Sequence, residues 1–311
     1  MPWQQKGVIF TPDRDKEWSR THAQAPSAVE FDGKIRIYYG TRDAENRSRT
    51  GFFEVDRSDP TRLLYAHDRP VLDLGKPGTF DEDGVIASQL LNVGDELWMY
   101  YGGVSKGGSV PYRMSIGLAK SSDRGLTFSR LFEGPIVDRT RDEPYMTMAP
   151  NVIRDDDGWT MWYGSGVKWT FVAGKYEPVY VTMVAYSHDG LSWRRSGRPC
   201  IRQNSPDEAN TRPAVLKTPA GYEMWFCYRR SQDYRDGQGS YRIGHAVSAD
   251  GRTWERIEDD VGLEPAGAGW NARAMAYPSV VVIDGRKIMF HNGDGFGRTG
   301  IGCAVWSDTP A

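Results

Sequence analysis

One pattern recurs five times along this chain of 311 residues and restricts its fold more than any other feature. An alternating aromatic strand appears as IRIYYG, LWMYYG, WTMWYGSG, EMWFCY and KIMFHN. Aligned, these place Tyr39, Tyr101, Tyr163, Phe226 and Phe290 in register, at intervals of 62, 62, 63 and 64 residues. A second strand recurs as MSIGLAKSSDRGLTF, YVTMVAYSHDGLSW and YRIGHAVSADGRTW, and in clipped form as TGIGCAVWSD. Ahead of each aromatic strand lies a short apolar run: PSAVEF, SQLLNV, PNVIRD, PAVLKT or PSVVVI, spaced by 62, 62, 63 and 65 residues. Tight turns such as FDGK, DDDG and IDGR join run to strand, and Asp-Gly there signals a hairpin because the turn needs positive φ. A short fourth segment follows each Ser-x-Asp-Gly turn. Each unit thus reads as a four-stranded antiparallel meander, and tandem units of this length point to blades, solenoids or arrays.

The expected fold is all-β: a five-bladed β-propeller in one domain covering residues 1–311. Period-two alternation excludes a helical solenoid, and a sandwich does not account for so regular a repeat. Blades are expected over about 20–75, 80–138, 142–202, 207–263 and 270–308. The last unit ends without room for its fourth strand, while the chain opens Trp3-x-x-x-Gly7, matching Trp193-x-x-x-Gly197. Residues 3–10 are therefore expected to supply the outer strand of the fifth blade, closing the ring and hiding a free sheet edge.

A formal net charge of −2 gives no electrostatic reason to expect nucleic acid or an anionic membrane as partner. No apolar run is long enough to span a bilayer, and the N-terminus lacks the layout of a signal peptide. The three cysteines, Cys200, Cys227 and Cys303, lie far apart within strand patterns. They read as buried free thiols, with a cytoplasmic location as the default. No metal or other cofactor is expected. Asp123, Asp189 and Asp250 occupy the same turn of different units, so they read as turn-capping residues.

In a propeller the lead-in to each innermost strand reaches the mouth of the axial channel. The five lead-ins are SRTHAQA, FDEDGVIA, DEPYMTMA, DEANTR and WNARAMAY, and they vary where the scaffold repeats. That variation is what one asymmetric site on a symmetric ring requires. Three carry carboxylates, from which Asp81, Asp83, Glu143 and Glu208 are the candidate catalytic residues. Converging acids raise one another's pKa, keeping one carboxyl protonated as general acid while another serves as base or nucleophile. Glycoside cleavage needs such a pair. His22, Gln24, Arg212 and Arg273 are expected to bind substrate, and Trp169, Tyr145 and Tyr277 to stack on a sugar ring. Two long insertions, around Trp169 and at residues 229–241, are expected to overhang the mouth together.

Five repeats with lead-in acids and Ser-x-Asp-Gly-x-x-Trp turns resemble the five-bladed propeller glycosidases, a superfamily that includes invertases, levansucrases, arabinanases and mannoside phosphorylases. HAQAP, FDEDGV, DEPY, VKW and GWNARAMAYP resemble a group of small bacterial members often found among polysaccharide-biosynthesis genes. The resemblance implies a carbohydrate or glycosylated small molecule as partner. It also implies an enzyme acting on O-glycosyl bonds, with the alternatives of a non-catalytic sugar-binding propeller or a glycoside phosphorylase. Two features depart from the superfamily pattern: the first lead-in, THAQAP, has no acid, and the fifth carries Arg273. An arginine there suits a phosphate or carboxylate.

Overall fold

The computed structural model describes residues 3–235, 238–257 and 261–307. Its strands follow the meander pattern. β1 (Trp3–Phe10) comes first. The first unit holds β2 (Thr21–Phe31), β3 (Lys34–Arg42), β4 (Ser48–Asp56) and β5 (Leu63–Ala66). The second holds β6 (Gly84–Val93), β7 (Glu96–Lys106), β8 (Tyr112–Ser121) and β9 (Ser129–Arg130). The third holds β10 (Thr147–Asp155), β11 (Gly158–Val172), β12 (Lys175–Ser187) and β13 (Arg194–Pro199). The fourth holds β14 (Glu208–Thr218), β15 (Gly221–Arg230), β16 (Arg242–Ser248) and β17 (Glu255–Ile257). The last holds β18 (Ala276–Ile283), β19 (Arg286–Asn292) and β20 (Ile301–Trp306). β1 adds to this final sheet by antiparallel pairing with β20, Trp3 opposite Trp306. A single parallel bridge, Ser48 to Gly84, links the first two units; the other three sheets stand separate.

The core is divided among the spaces between successive sheets. Tyr38 and Phe52 pack with Val85, Leu97 and Met99; Tyr100 and Ile116 with Val152 and Met161; Trp162 and Val184 with Val215 and Met224. Trp225 and Ile243 pack with Met289 and Trp3, and Ile288 and Phe290 with Ile35, Ile37 and Phe53 of the first unit. Adjacent residues of each aromatic strand serve opposite faces, as the two-residue period of a strand requires. A repeated latch ties neighbouring units. Tyr38, Tyr100 and Trp162 each donate to the turn glycine carbonyl of the following unit, at Gly125, Gly190 and Gly251, over 2.9, 2.9 and 2.8 Å. Gly190 has φ 76°, and a Cβ there would lie 2.8 Å from the Tyr100 hydroxyl, so only glycine fits.

The aspartates of these turns are structural. The Asp189 carboxylate accepts from the Leu191 and Ser192 amides at 2.8 Å, and Asp123 and Asp250 repeat the arrangement. One alignment is corrected. Ser279, which follows the Pro278 marker, lies opposite Phe290, as Ala214 lies opposite Trp225 and Asn151 opposite Trp162. His291, not Phe290, is thus the fifth member of the Tyr39 series, and Phe290 faces the first unit. A slip of one residue exchanges the two faces of a strand.

All five inner strands break register at the same place, between Gln24 and Ser27, Ala87 and Gln89, Met148 and Asn151, Thr211 and Ala214, and Ala276 and Ser279. In four of them the residue before the marker proline has positive φ: Ala25 54°, Ala149 49°, Arg212 55° and Tyr277 58°. The left-handed region costs a non-glycine residue on the order of 1–3 kcal/mol and persists where the surroundings over-determine it. Bulges of this kind re-aim side chains, here where the inner strands meet.

Candidate functional site

Three of the lead-in acids occupy a repeated clasp. Asp81 is fully buried and accepts hydrogen bonds from the Tyr101 hydroxyl (2.9 Å) and Arg130 Nε (2.7 Å). Glu143 accepts from the Tyr163 hydroxyl (2.9 Å), with Arg195 at 3.4 Å. Glu208 accepts from Arg256 at 2.7 Å. Each arginine lies two residues after the aromatic residue that closes its unit's turn: Phe128, Trp193 or Trp254. The fifth unit has a neutral version, Asn271 Nδ2 donating to Gln5 Oε1 at 2.8 Å, with Gln5 two residues after Trp3. A feature built three times as an ion pair and once as an amide pair belongs to the scaffold. Asp81, Glu143 and Glu208, expected as a catalytic set, are each held by an arginine in this arrangement. Asp83 lies apart from them, accepting from the Lys106 amide (2.7 Å), with the exposed Lys106 ammonium at 3.4 Å.

Arg212 is also reassigned. From the bulge of β14 its guanidinium donates to the Ser88 carbonyl of the second unit (2.9 Å) and the Pro26 carbonyl of the first (2.6 Å). It ties three inner strands together. Burial pushes it down to about 10. It also lines a cavity of about 270 Å³ toward the far ends of the inner strands, with Ser88, Asn151, Val215 and Ser279. Arg273 is exposed, and its backbone amide donates to Asp294.

The structure gathers a different set at the lead-in end. The two insertions are joined there. Glu177 on β12, buried, accepts from the Tyr234 hydroxyl (2.5 Å) and from Arg235 (2.7 and 3.0 Å). Burial opposes it, but hydrogen bonds from Arg235 and Tyr234 hold this carboxyl below its ordinary value. Arg229 donates to the hydroxyls of Tyr180 (3.2 Å) and Tyr241 (3.3 Å) and to the Pro178 carbonyl (2.7 Å), and its guanidinium lies 3.8 Å from the Tyr234 ring centroid. Tyr241 packs on Tyr277 (5.4 Å) and on Phe296 of the α1 turn (Asp294–Gly297), and Trp169 meets Tyr112 edge-on at 5.6 Å. Tyr112 and Tyr277 keep partial solvent access, yet burial pushes both phenols up.

The first unit supplies His22, Gln24 and Arg42. Arg42 Nε donates to Gln24 Oε1 at 3.0 Å, and His22 Nδ1 bonds Thr21 Oγ1 at 2.8 Å. Burial, with Arg42 and Arg298 adding to it, lowers His22 to about 3, so the ring is neutral near pH 7. Tyr145 is exposed beside Gly166. Of the expected binding residues, His22, Gln24, Trp169 and Tyr277 therefore lie at the lead-in end with Arg42, Tyr112, Arg235 and Arg298, above the buried Tyr180, Arg229 and Tyr241. Sequence reasoning passed over the latter group. One signal for it existed: Tyr180 and Tyr241 each lie seven residues before a turn serine, Ser187 and Ser248.

Among the described residues no group of three or more His, Cys, Asp or Glu side chains is placed to hold a metal ion. No helix among them is long and apolar enough to cross a membrane. The three cysteines are free and buried, and burial pushes each thiol up to about 12.

Propeller-like glycoside hydrolases share this fold. One glycoside hydrolase of solved structure aligns with a TM-score of 0.76 at 17% identity, covering 99% of this chain and 92% of that one. A thermostable family-43 glycoside hydrolase aligns at 0.65 and 18% identity, covering 92% and 89%. A member of the GH130 family, whose mannoside phosphorylases include hydrolases of β-1,2 mannosidic linkages in Candida mannan, aligns at 0.69 and 14%, covering 99% and 95%. No family model matches the sequence. The chain belongs to the same family as the uncharacterized protein Rv1502 of Mycobacterium tuberculosis H37Rv, at 36% identity over 307 residues, 98% of this chain and 99% of the relative. Its counterpart in strain CDC 1551, the uncharacterized protein MT1551, matches equally.

Proposed function

We propose that this protein is a five-bladed propeller, closed by β1, that takes a carbohydrate or glycosylated small molecule into the mouth between the two insertions and the α1 turn. The observation carrying this reading is the grouping of partly exposed aromatic rings at this end. Tyr112, Trp169 and Tyr277 keep partial exposure, with the half-buried Arg42 as a donor, over a buried layer of Tyr180, Arg229 and Tyr241. Aromatic faces with a few fixed polar groups are what an amphipathic ring ligand needs. The fold shared with glycoside hydrolases supports the ligand class, though fold alone does not assign chemistry. A glycan-binding screen tests it. Binding should be found, and Tyr277→Ala should weaken it at least tenfold while the protein stays folded. Retained affinity in that variant would move the site elsewhere.

A second reading is that the protein also turns over a glycosidic bond. The shared fold favours it, as does Asp83, the candidate acid held only by a backbone amide and an exposed lysine. The paired-carboxylate mechanism would need a second acid, and Asp81, Glu143 and Glu208 are committed to arginines. Aryl glycosides and oligosaccharides assayed with and without phosphate distinguish binding from hydrolysis and phosphorolysis. Turnover that survives Asp83→Asn would remove that residue from consideration.

A further inference from the structure

Most buried or half-buried arginines in this protein face a carboxylate. Arg36 meets Glu54, Arg49 meets Asp43, Arg130 meets Asp81, and Arg256 meets Glu208. The mouth breaks this habit. Arg42 donates only to the neutral oxygens of Gln24 (3.0 Å) and Asn46 (3.1 Å), and its remaining terminal nitrogen has no protein partner among the described residues. Arg298, exposed beside the α1 turn, has no carboxylate partner among them either.

The segments that bear the two are neighbours. Thr21, next to His22, pairs with Arg42 across the β2–β3 ladder. A Cβ on Gly297 would lie 2.3 Å from the Ala23 carbonyl, so the turn bearing Arg298 is pressed against β2. Arg235 reaches the same turn from the fourth unit, its guanidinium 5.5 Å from the Phe296 ring centroid. Burial lowers Arg42 from its ordinary value; Tyr277 and Tyr112 oppose this, while Arg298 and Arg235 add to it.

Charge decides the ligand. Among the described residues around the mouth, Glu177 is held by Arg235, Lys175 and Tyr234, and Asp294 by the Arg273 and Ala274 amides. Arg42 and Arg298 are left there without a carboxylate, two positive charges. A sugar carboxylate brings one negative charge, whereas a phosphate monoester carries about −1.5 to −2 near neutral pH and accepts several guanidinium bonds at once. We propose that Arg42 and Arg298 form a phosphoryl subsite, filled by orthophosphate or by a phosphate carried on the sugar that the mouth receives. The sugar-borne form rests on the carbohydrate reading above; the phosphoryl site does not.

Calorimetric titration at fixed ionic strength tests this. The probes are inorganic phosphate, glucose 1-phosphate, glucuronate and glucose. The proteins are the parent, Arg42→Gln, Arg42→Lys, Arg298→Gln and, as a control, Arg69→Gln, a surface arginine paired with Asp68. The parent should bind phosphate or glucose 1-phosphate, and Arg42→Gln and Arg298→Gln should each weaken that binding at least tenfold. Arg42→Lys should fall between, because it keeps the charge and loses the fork. Arg69→Gln should match the parent. Glucose 1-phosphate binding tighter than phosphate assigns the sugar-borne source; equal binding assigns free phosphate. Arg298 is exposed, so its variant keeps the test valid even where Arg42→Gln lowers stability. The proposal is overturned by absence of binding of both phosphates, by unchanged affinity in the Arg298 and Arg42 variants, or by glucuronate binding as tightly as phosphate. Phosphate binding that these variants abolish, with no glycan found, would keep the subsite and remove the carbohydrate reading. Glycan binding that is lost in Tyr277→Ala but indifferent to phosphate and to both arginines would do the reverse.

Discussion

Replacing Asp81 with Asn tests whether the lead-in acids belong to the scaffold or to the chemistry. Asp81 has no exposure and accepts from Arg130 Nε at 2.7 Å, the Tyr101 hydroxyl at 2.9 Å and Thr79 Oγ1 at 3.0 Å. Breaking a buried ion pair by removing one partner costs about 3–5 kcal/mol. Arg130 retains some solvent contact and a second bond to the Asp73 carbonyl, which softens the loss to roughly 2–3 kcal/mol. For a chain of this length that lowers Tm by roughly 3–5 °C. The fifth unit supplies the control, since it runs the same clasp as Asn271 with Gln5. Asp81→Asn combined with Arg130→Gln should therefore recover more than half of the loss. Thermal melts of the two single variants and the double variant measure the coupling, and glycan binding measured alongside should stay within twofold of the parent. Strictly additive losses would refute the clasp. So would an Asp81→Asn protein of parental stability that no longer binds ligand.

Trp3→Ala should cost about 3–5 kcal/mol, because Trp3 is 4% exposed and packs edge-on against Trp225 and Trp306 at 5.7 and 5.1 Å; a melt within 1 °C of the parent would contradict closure through β1. Asp189→Asn should cost about 0.5–2 kcal/mol, as for other capping residues, and leave glycan affinity unchanged in the same screen. His291, fully buried, is lowered to about 4 by burial, so between about pH 6.5 and 4 the unfolded chain binds the extra proton. Stability should rise with pH through that window, by up to roughly 3 kcal/mol from this residue. Chemical denaturation of His291→Gln against the parent at pH 5 and pH 7 checks the sign, and an equal pH dependence in both proteins would refute it.

The repeat made the strand order legible, since hairpin turns and marker prolines recur at fixed spacing. It also misled once. Phe290 resembles Phe226 and stands one residue from its true equivalent, His291, and the 65-residue interval between Pro213 and Pro278 was the better guide to register. The acids were ambiguous for a related reason. Asp81 and Glu143 lie twenty residues before Tyr101 and Tyr163, the phenols that hold them, and Arg130, Arg195 and Arg256 recur two residues past an aromatic. That periodicity is visible in the sequence, but a carboxylate looks the same whether an arginine or a substrate faces it. The mouth was less legible. Arg42 and Arg229 lie at the ends of two of the aromatic strands, and nothing local to either shows that Arg229 is spent on tyrosine hydroxyls and carbonyls while Arg42 keeps a nitrogen without a partner among the described residues. That depends on the α1 turn arriving from the far end of the chain.

The measurement that bears most directly on this account is a crystal structure of the protein soaked with the tightest carbohydrate found by the screen, in a phosphate-containing buffer. The account predicts a ring lying against Tyr112 and Tyr277 and a phosphoryl group, free or on the sugar, within hydrogen-bond reach of Arg42 and Arg298. Ligand density beside Asp81, Glu143 or Glu208, or in the cavity lined by Arg212, with the mouth empty, would contradict it.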